Sequence, residues 1–272
     1  MTKYQSKNLF KSIFFLVLCT TFLACKNSNI ASPENIQDIK MDAENQENNV
    51  FDFHPGITKN QVVRHEFYSL SYSEKHEQAE WVAYFLDGKP SQAKFERPFF
   101  IEDPLVDSNS ADWRNYRKSG FDKGHLCPAG DMKSSKKAFD DTFYTSNISP
   151  QRHDFNDGIW NRLEQKTRYW ASKYNGIYVV TAGVLSDDLE HIGTENVAVP
   201  EYFYKVLLQK NGSIVKMIGF LVPHQDSEKP LYNFVVSVDE IEQKTGIDFF
   251  PNLDDAIENI LEKSNNYKEW AF

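Results

Sequence analysis

Cysteine is scarce in this chain. Its 272 residues hold three, and two of these, Cys19 and Cys25, sit in or at the end of an apolar N-terminal run, so Cys127 is the only thiol in the body. No internal disulfide can brace the body, and its fold must stand on its core. A glycine-rich phosphate loop is missing, as is a second ligand pair that would join His125 and Cys127 at zinc-like spacing. No apolar run reaches the roughly 20 residues that span a bilayer. Positive charge is in deficit, with a formal net charge of -9, which excludes a protein that coats nucleic acid or anionic lipid through bulk charge. A polyanion site must therefore be a local basic patch. What is present in quantity is apolar and aromatic material, 40% and 14% of the residues, enough for an ordinary globular core.

The N-terminus reads as a sorting device. Lys3, Lys7 and Lys11 precede "SIFFLVLCTTFLA", a run of signal-peptide length. It ends in small Ala24 before Cys25, which resembles a bacterial lipoprotein box, with Phe22 standing where leucine is usual. The expectation is a signal peptide over 1–24, lipidation at Cys25, and an exported, membrane-anchored lipoprotein in the periplasm or at the cell surface. A plain secretory signal is the alternative. Residues 25–58, rich in Asn, Gln, Asp and Glu without an apolar period, read as a polar tether. Only its last residues, such as Phe51 and Phe53, have the character to pack on a domain spanning 59–272.

Within that domain there is no internal repeat. "EFYSLSYS" alternates as a strand does, "QAEWVAYFLDG" follows as a second apolar segment, and "GIYVVTAGVL" reads as a short buried strand. "EYFYKVLLQ" and "SIVKMIGFLVP" flank Lys210-Asn211-Gly212, and Asn-Gly between two such runs signals a hairpin. Ser237 with Glu240 three residues later makes a capping box for a short helix closing at Gly246. Strand runs interrupted by a few helices predict an α+β domain with a mostly antiparallel central sheet flanked by helices.

The longest helix carries the chemistry. From Trp160, residues Leu163, Thr167, Trp170, Ala171 and Tyr174 fall on one stripe. Glu164 and Arg168 edge it at i,i+4, a spacing that also suits a surface ion pair worth about 0.2–0.5 kcal/mol. Asn156, in "HDFNDGIW" just upstream, is in the usual place for an N-cap or turn residue.

Three blocks in order, "FDKGHLCPAGDM", "TFYTSNISPQ" and "FNDGIWNRLEQKTR", together resemble the DNA/RNA non-specific endonucleases, the ββα-metal (His-Me) nucleases with an Asp-Arg-Gly-His motif, a family that includes mitochondrial endonuclease G. With flanks such as "FYSLSY" and "VSVDEIEQKTGIDFF" the resemblance covers roughly residues 60–255. It implies a ββα-metal fold and metal-dependent, sequence-nonspecific hydrolysis of DNA and RNA leaving 5′-phosphates. In it His125 matches the general base, a role suited to an imidazole with an ordinary pKa near 6.5, and Gly124 lets backbone and substrate come close. Asn156 matches the one direct protein ligand of a single Mg2+, for which Mn2+ can substitute; a neutral amide oxygen suits a hard cation and leaves its charge unquenched. Glu164 matches a residue reaching the metal through water, and Arg168 one that contacts phosphate. On an ideal helix Asn156 and Glu164 would lie about 12 Å apart along the axis and about 80° around it, so a water-mediated Glu164 or a non-helical Asn156 is required. Asp122 and Lys123 complete the motif.

Two departures bear on activity. Lys123 replaces the usual arginine and loses its planar fork, and Ile101 stands where the family often has an arginine, with Arg97 four positions upstream as a candidate substitute. Arg97, Arg114, Arg117 and Arg152, with Lys118, Lys133, Lys136 and Lys137, are candidates for the local basic patch, or simply a solvated surface. Cys127 reads as a buried thiol, and Asn147 in "NIS" as a strand or turn residue rather than a glycan acceptor. The expected partners are DNA, RNA and, through the anchor, a membrane; a homodimer is left open and no small-molecule cofactor is expected. Two other classes compete: an impaired nucleic-acid-binding module, and a phosphodiesterase acting on small phosphodiesters.

Overall fold

The computed structural model describes residues 52–89 and 91–272. The first three strands, β1 (Gln61–Arg64), β2 (Tyr68–Ser73) and β3 (Gln78–Leu86), form an antiparallel meander. A long connection leads to β4 (Asp122–His125), helix α1 (Lys136–Asp141) and β5 (Ile148–Gln151). The one-turn α2 (His153–Phe155) runs through a π-helical turn into α3 (Asn161–Tyr174). Then come β6 (Ile177–Gly183), β7 (Glu190–Ile192), β8 (Val197–Val199), β9 (Tyr202–Asn211), β10 (Ile214–Pro223), β11 (Val235–Val236), α4 (Val238–Thr245) and α5 (Asp255–Lys263).

Among the described residues the main sheet has seven strands in the order β1-β2-β3-β6-β9-β10-β11, every pair antiparallel. The β4–β5 pair stands apart, and with α3 it makes a ββα unit. The α+β expectation holds. The expected alternation of β2 does too, yet all six of its residues are buried. Its Tyr and Leu side chains enter the core, while its serines meet polar partners: Ser69 Oγ and His54 Nε2 are 3.1 Å apart, Ser71 Oγ donates to Glu80 Oε1 at 2.6 Å, and Ser73 Oγ lies 2.9 Å from His76 Nδ1.

His54 belongs to residues expected to be tether. By Asp52 the chain already packs on the domain: the Phe53 ring lies 4.9 Å from that of Tyr178, and the Gly56 N–H donates to the Asp248 carbonyl at 2.8 Å. The ordered body thus begins before residue 59, because Phe53 has apolar area to bury and Thr58 hydrogen-bonds Glu80. The expected signal peptide, Cys25, Phe51 and most of the tether lie outside the described residues.

Helix α3 buries the predicted stripe, Leu163, Thr167, Trp170 and Ala171, with Tyr174 partly buried at its end. The N-cap half of the expected capping box forms, Ser237 Oγ accepting from Glu240 N at 3.2 Å, and Gly246 ends α4. The β9–β10 hairpin shifts by one residue from expectation. Asn211 pairs with Ile214, so the loop is Gly212-Ser213, and Gly212 at φ 57° takes the first central position of a type II′-like turn. A second small core of Ala111, Tyr116, Ile148, Ile192, Val197 and Val199 packs with Phe100 and Phe121 around the β4–β5 hairpin and holds it in place.

Candidate active site

The motif strand is set by its partner. Lys123 faces Pro150 and His125 faces Ile148 across the β4–β5 ladder. Gly124 is required for a steric reason: a Cβ there would lie 2.2 Å from Gln151 Cδ, so any side chain would expel a buried glutamine. Close approach by substrate is not the constraint that this contact reveals. Both polar atoms of the Gln151 amide are buried without a hydrogen-bond partner among the described residues.

Period-two alternation sends Lys123 and His125 to one face, against the segment 97–100. The Lys123 ammonium lies 5.3 Å over the Phe100 ring, and the His125 ring is 5.6 Å from Phe100 and 5.0 Å, edge-on, from Phe143. Burial, and then the Arg97 guanidinium, lower the His125 pKa to about 3, so the ring is neutral at any physiological pH. Among the described residues its Nε2 is buried without a partner, which leaves Nδ1 as the nitrogen that reaches the surface. Arg97, itself 5.4 Å from the Phe143 ring centroid, brings positive charge to the motif, whereas Ile101 is 55% exposed and bridges Tyr144 through its backbone.

The other face of β4 meets the helices. Asp122 Oδ2 accepts from Asn156 Nδ2 at 3.0 Å and lies 2.9 Å from His153 Nδ1; this hydrogen bond raises the His153 pKa. Asn156 is not an N-cap. Its backbone is helical, its N–H donates to the Arg152 carbonyl at 2.9 Å, and its Oδ1 accepts no hydrogen bond among the described residues. Asn156 and Glu164 do not lie on one continuous α-helix: the π turn Asn156–Trp160 intervenes, and in it Gly158 leaves helical geometry (φ -90°, ψ -111°), so the spacing of an ideal helix does not apply between them.

Glu164 and Arg168 approach to 3.8 Å, but this is no simple surface pair. Arg168 Nη1 donates to Asp131 Oδ1 at 2.7 Å, Tyr84 OH donates to Asp131 Oδ2 at 2.8 Å, and the Asp131 side chain is 1% exposed. The motif's outgoing loop is thereby bolted to α3. Burial pushes the Glu164 carboxyl up to about 7, Asp131 adds to the rise, and Lys205 and Arg168 oppose it. Lys205 on β9 is fully buried, donates to Thr181 Oγ1 at 3.2 Å, and lies 4.8 Å over the Trp160 ring; burial lowers its pKa while Glu164 and Asp131 hold it up. Asp131, Gln151 and Lys205 were not foreseen as site residues. A lysine inside the apolar run "EYFYKVLLQ" was the available signal for one of them.

The expected basic patch does not assemble as a unit. Arg114 pairs with Asp112 at 2.5 Å and, with Arg117 and Lys118, lines a cavity of about 640 Å³ walled also by Glu190, His191 and Glu195, which contains no motif residue. Lys136 and Lys137 are paired with Asp140 and Asp141, each at 2.5 Å, because i,i+4 spacing on α1 supplies a carboxylate for each. Arg152 stays beside the site: its side chain is exposed and its N–H donates to His224 Nε2 at 2.7 Å. Asn147 is fully buried and bonds Cys127 and Thr142, which rules out a glycan there, and Cys127 is a buried free thiol.

His224 yields a test of this support. Nδ1 donates to the Pro200 carbonyl at 2.8 Å while Nε2 accepts from Arg152, so protonation would turn the acceptor into a donor facing a donor. Burial is the main cause that lowers its pKa to about 4. A histidine held neutral contributes stability above its unfolded value near 6.5, and this is lost as pH falls through 6.5 toward about 4. In denaturant titrations at pH 7 and pH 4, wild type should lose on the order of 3 kcal/mol more than His224→Gln. Equal losses would contradict the assignment.

The family model for DNA/RNA non-specific endonucleases matches residues 46–256. The chain is 37% identical to "Nuclease EXOG, mitochondrial" of Danio rerio over 68% of its own length and 59% of that protein. It is 34% identical to "Endonuclease G, mitochondrial" of Homo sapiens (73% and 72% covered) and 36% identical to "Nuclease C1" of Cunninghamella echinulata var. echinulata (74% and 86%). Among solved structures, the crystal structure of an EndoG/EndoGI complex superposes with a TM-score of 0.68 at 30% identity, covering 74% of this chain and 89% of that one. The mitochondrial names of EXOG and endonuclease G overturn the expected exported, membrane-anchored lipoprotein. The motif hairpin, the bolted α3 and these likenesses lead to one statement: this chain belongs to the DNA/RNA non-specific endonuclease family and is a phosphodiester hydrolase of that class.

Proposed function

We propose that the protein cuts DNA and RNA internally, without sequence preference, by a magnesium-assisted attack of water that leaves 5′-phosphates, with His125 as general base. The observation that carries this reading is the His125 imidazole, neutral by burial and with Nδ1 toward the surface of the motif strand. Nδ1 takes the proton of the attacking water. The depressed pKa makes the ring a weak base in the free protein, and the negative charge of an incoming phosphate favours the imidazolium and restores basicity.

The donors fit a hard cation. Among the described residues the Asn156 amide oxygen accepts no hydrogen bond, Asp122 holds the amide in place from its nitrogen side, and the Gln151 Oε1 beside the motif is buried and unpartnered. Mg2+ held through Asn156, or Mn2+ in its place, would supply charge stabilisation to the phosphoryl oxygens and the departing 3′ oxygen. Arg97 and Arg168 attract and orient phosphate, with Arg152 beside them, and Lys123 offers a point charge where a fork would be stronger. Asp131 and Lys205 set the position and charge of Arg168 and Glu164.

Supercoiled plasmid and RNA incubated with the purified chain should both be degraded with magnesium present, survive in chelator, and be degraded again when magnesium or manganese is restored. The new ends should accept a ligase without prior phosphorylation. Cleavage persisting in excess chelator would remove the metal from the mechanism. A mobility shift without cleavage under either metal would favour the binding-module reading, and turnover confined to a small chromogenic diester would favour the small-substrate one.

A further inference from the structure

Against β10, helices α4 and α5 and the loop between them gather five carboxylates that the nuclease chemistry does not use: Asp239, Glu242, Asp248, Glu258 and Glu262. One oxygen from each of Asp248, Glu258 and Glu262 lies within 4.8 Å of the others, and Asp239, Glu242 and Glu262 meet the same limit. Among the described residues none of the five forms an ion pair. An acidic cluster on a surface is ordinary. This one differs because Glu262 is only 8% exposed and, among the described residues, its Oε1 is buried with no hydrogen-bond partner, as is Glu258 Oε1. Such oxygens are costly to leave unmatched.

We propose that Asp248, Glu258 and Glu262 bind a calcium ion, with Asp239 and Glu242 adding negative charge beside it. The ligand set decides the cation. All donors are carboxylate oxygens, which excludes soft metals. A set of carboxylates drawn from two helices and the loop between them suits Ca2+, which takes six to eight oxygens with loose geometry, better than Mg2+, which demands a strict octahedron and keeps its waters. Glu242 Oε1 already accepts from Phe249 N at 2.9 Å, which makes it a supporting group. The ion would tie α5 to the loop after α4. Through the Gly56 N–H bond to the Asp248 carbonyl and the Asn252 amide bond to the Asp52 carbonyl, it would also secure the N-terminal arm.

The full chain, stripped with chelator and dialysed, is melted with increasing CaCl2, and in parallel as Glu262→Gln and as Asn156→Ala. Wild type should melt roughly 5–10 °C higher once calcium is about a hundredfold above its Kd. Asn156→Ala should show the same shift and Glu262→Gln should lose most of it while still cleaving plasmid with magnesium. Should Glu262→Gln fail to fold, Glu258→Gln serves in its place. No saturable calcium shift in wild type would overturn the site, as would a shift that survives in Glu262→Gln or disappears in Asn156→Ala.

Discussion

His125→Ala should cleave plasmid roughly 10²–10⁴-fold more slowly than wild type at saturating magnesium, the span by which a positioned general base accelerates proton transfer. The loss should fall mainly on the chemical step. The ring reaches the surface at Nδ1 and takes no part in any hydrogen bond that holds β4 to β5. It does pack against Phe100 and Phe143, so some stability will be lost, and denaturant titration must show the variant folded under assay conditions. Phosphate binding, read as a mobility shift of DNA, should change little, because Arg97, Arg168 and Lys123 remain. A folded variant that cuts within tenfold of wild type would exclude His125 as the base.

Asn156→Ala should lower cleavage roughly 10²–10³-fold, equivalent to the several kcal/mol of transition-state stabilisation that a metal ion supplies. It should also raise the magnesium concentration needed for half-maximal rate. The second effect is diagnostic: a residue that merely braced the hairpin would alter rate and stability without moving the metal dependence. The Asn156 side chain does brace something, since its amide donates to Asp122 at 3.0 Å. Asn156→Asp separates the two roles. It keeps an oxygen for the cation and sets a second carboxylate against Asp122, so affinity for the metal should survive better than turnover. An unchanged magnesium dependence in Asn156→Ala would remove this side chain as the ligand.

Much of the fold was legible because it rests on local rules. The α3 stripe follows from helical period, the α4 boundaries from Ser237, Glu240 and Gly246, and the buried strand β6 from a short apolar run between glycines. The β9–β10 hairpin was legible to within one residue, since Asn-Gly and Gly-Ser are both good two-residue loops and the cross-strand register chooses between them. What was not legible is the partner of each polar group. Glu164 and Arg168 look like a surface pair at i,i+4, and only the arrival of Asp131 and Lys205 from distant parts of the chain turns them into a buried charge network.

Residue type at short or fixed spacing was enough for strands β2, β3, β6, β9 and β10, for helices α3 and α4, for the motif 122–125 and for the family. Only the tertiary structure decided that Arg97 rather than Ile101 brings charge to His125, that Gly124 is required by Gln151, that Arg114 and Arg117 belong to a different cavity, and that the chain packs from Asp52 onward. The physical reason is that desolvation and charge–charge energy depend on which groups share a buried volume, and residues far apart in the chain come to share one only when the sheet and α3 have packed.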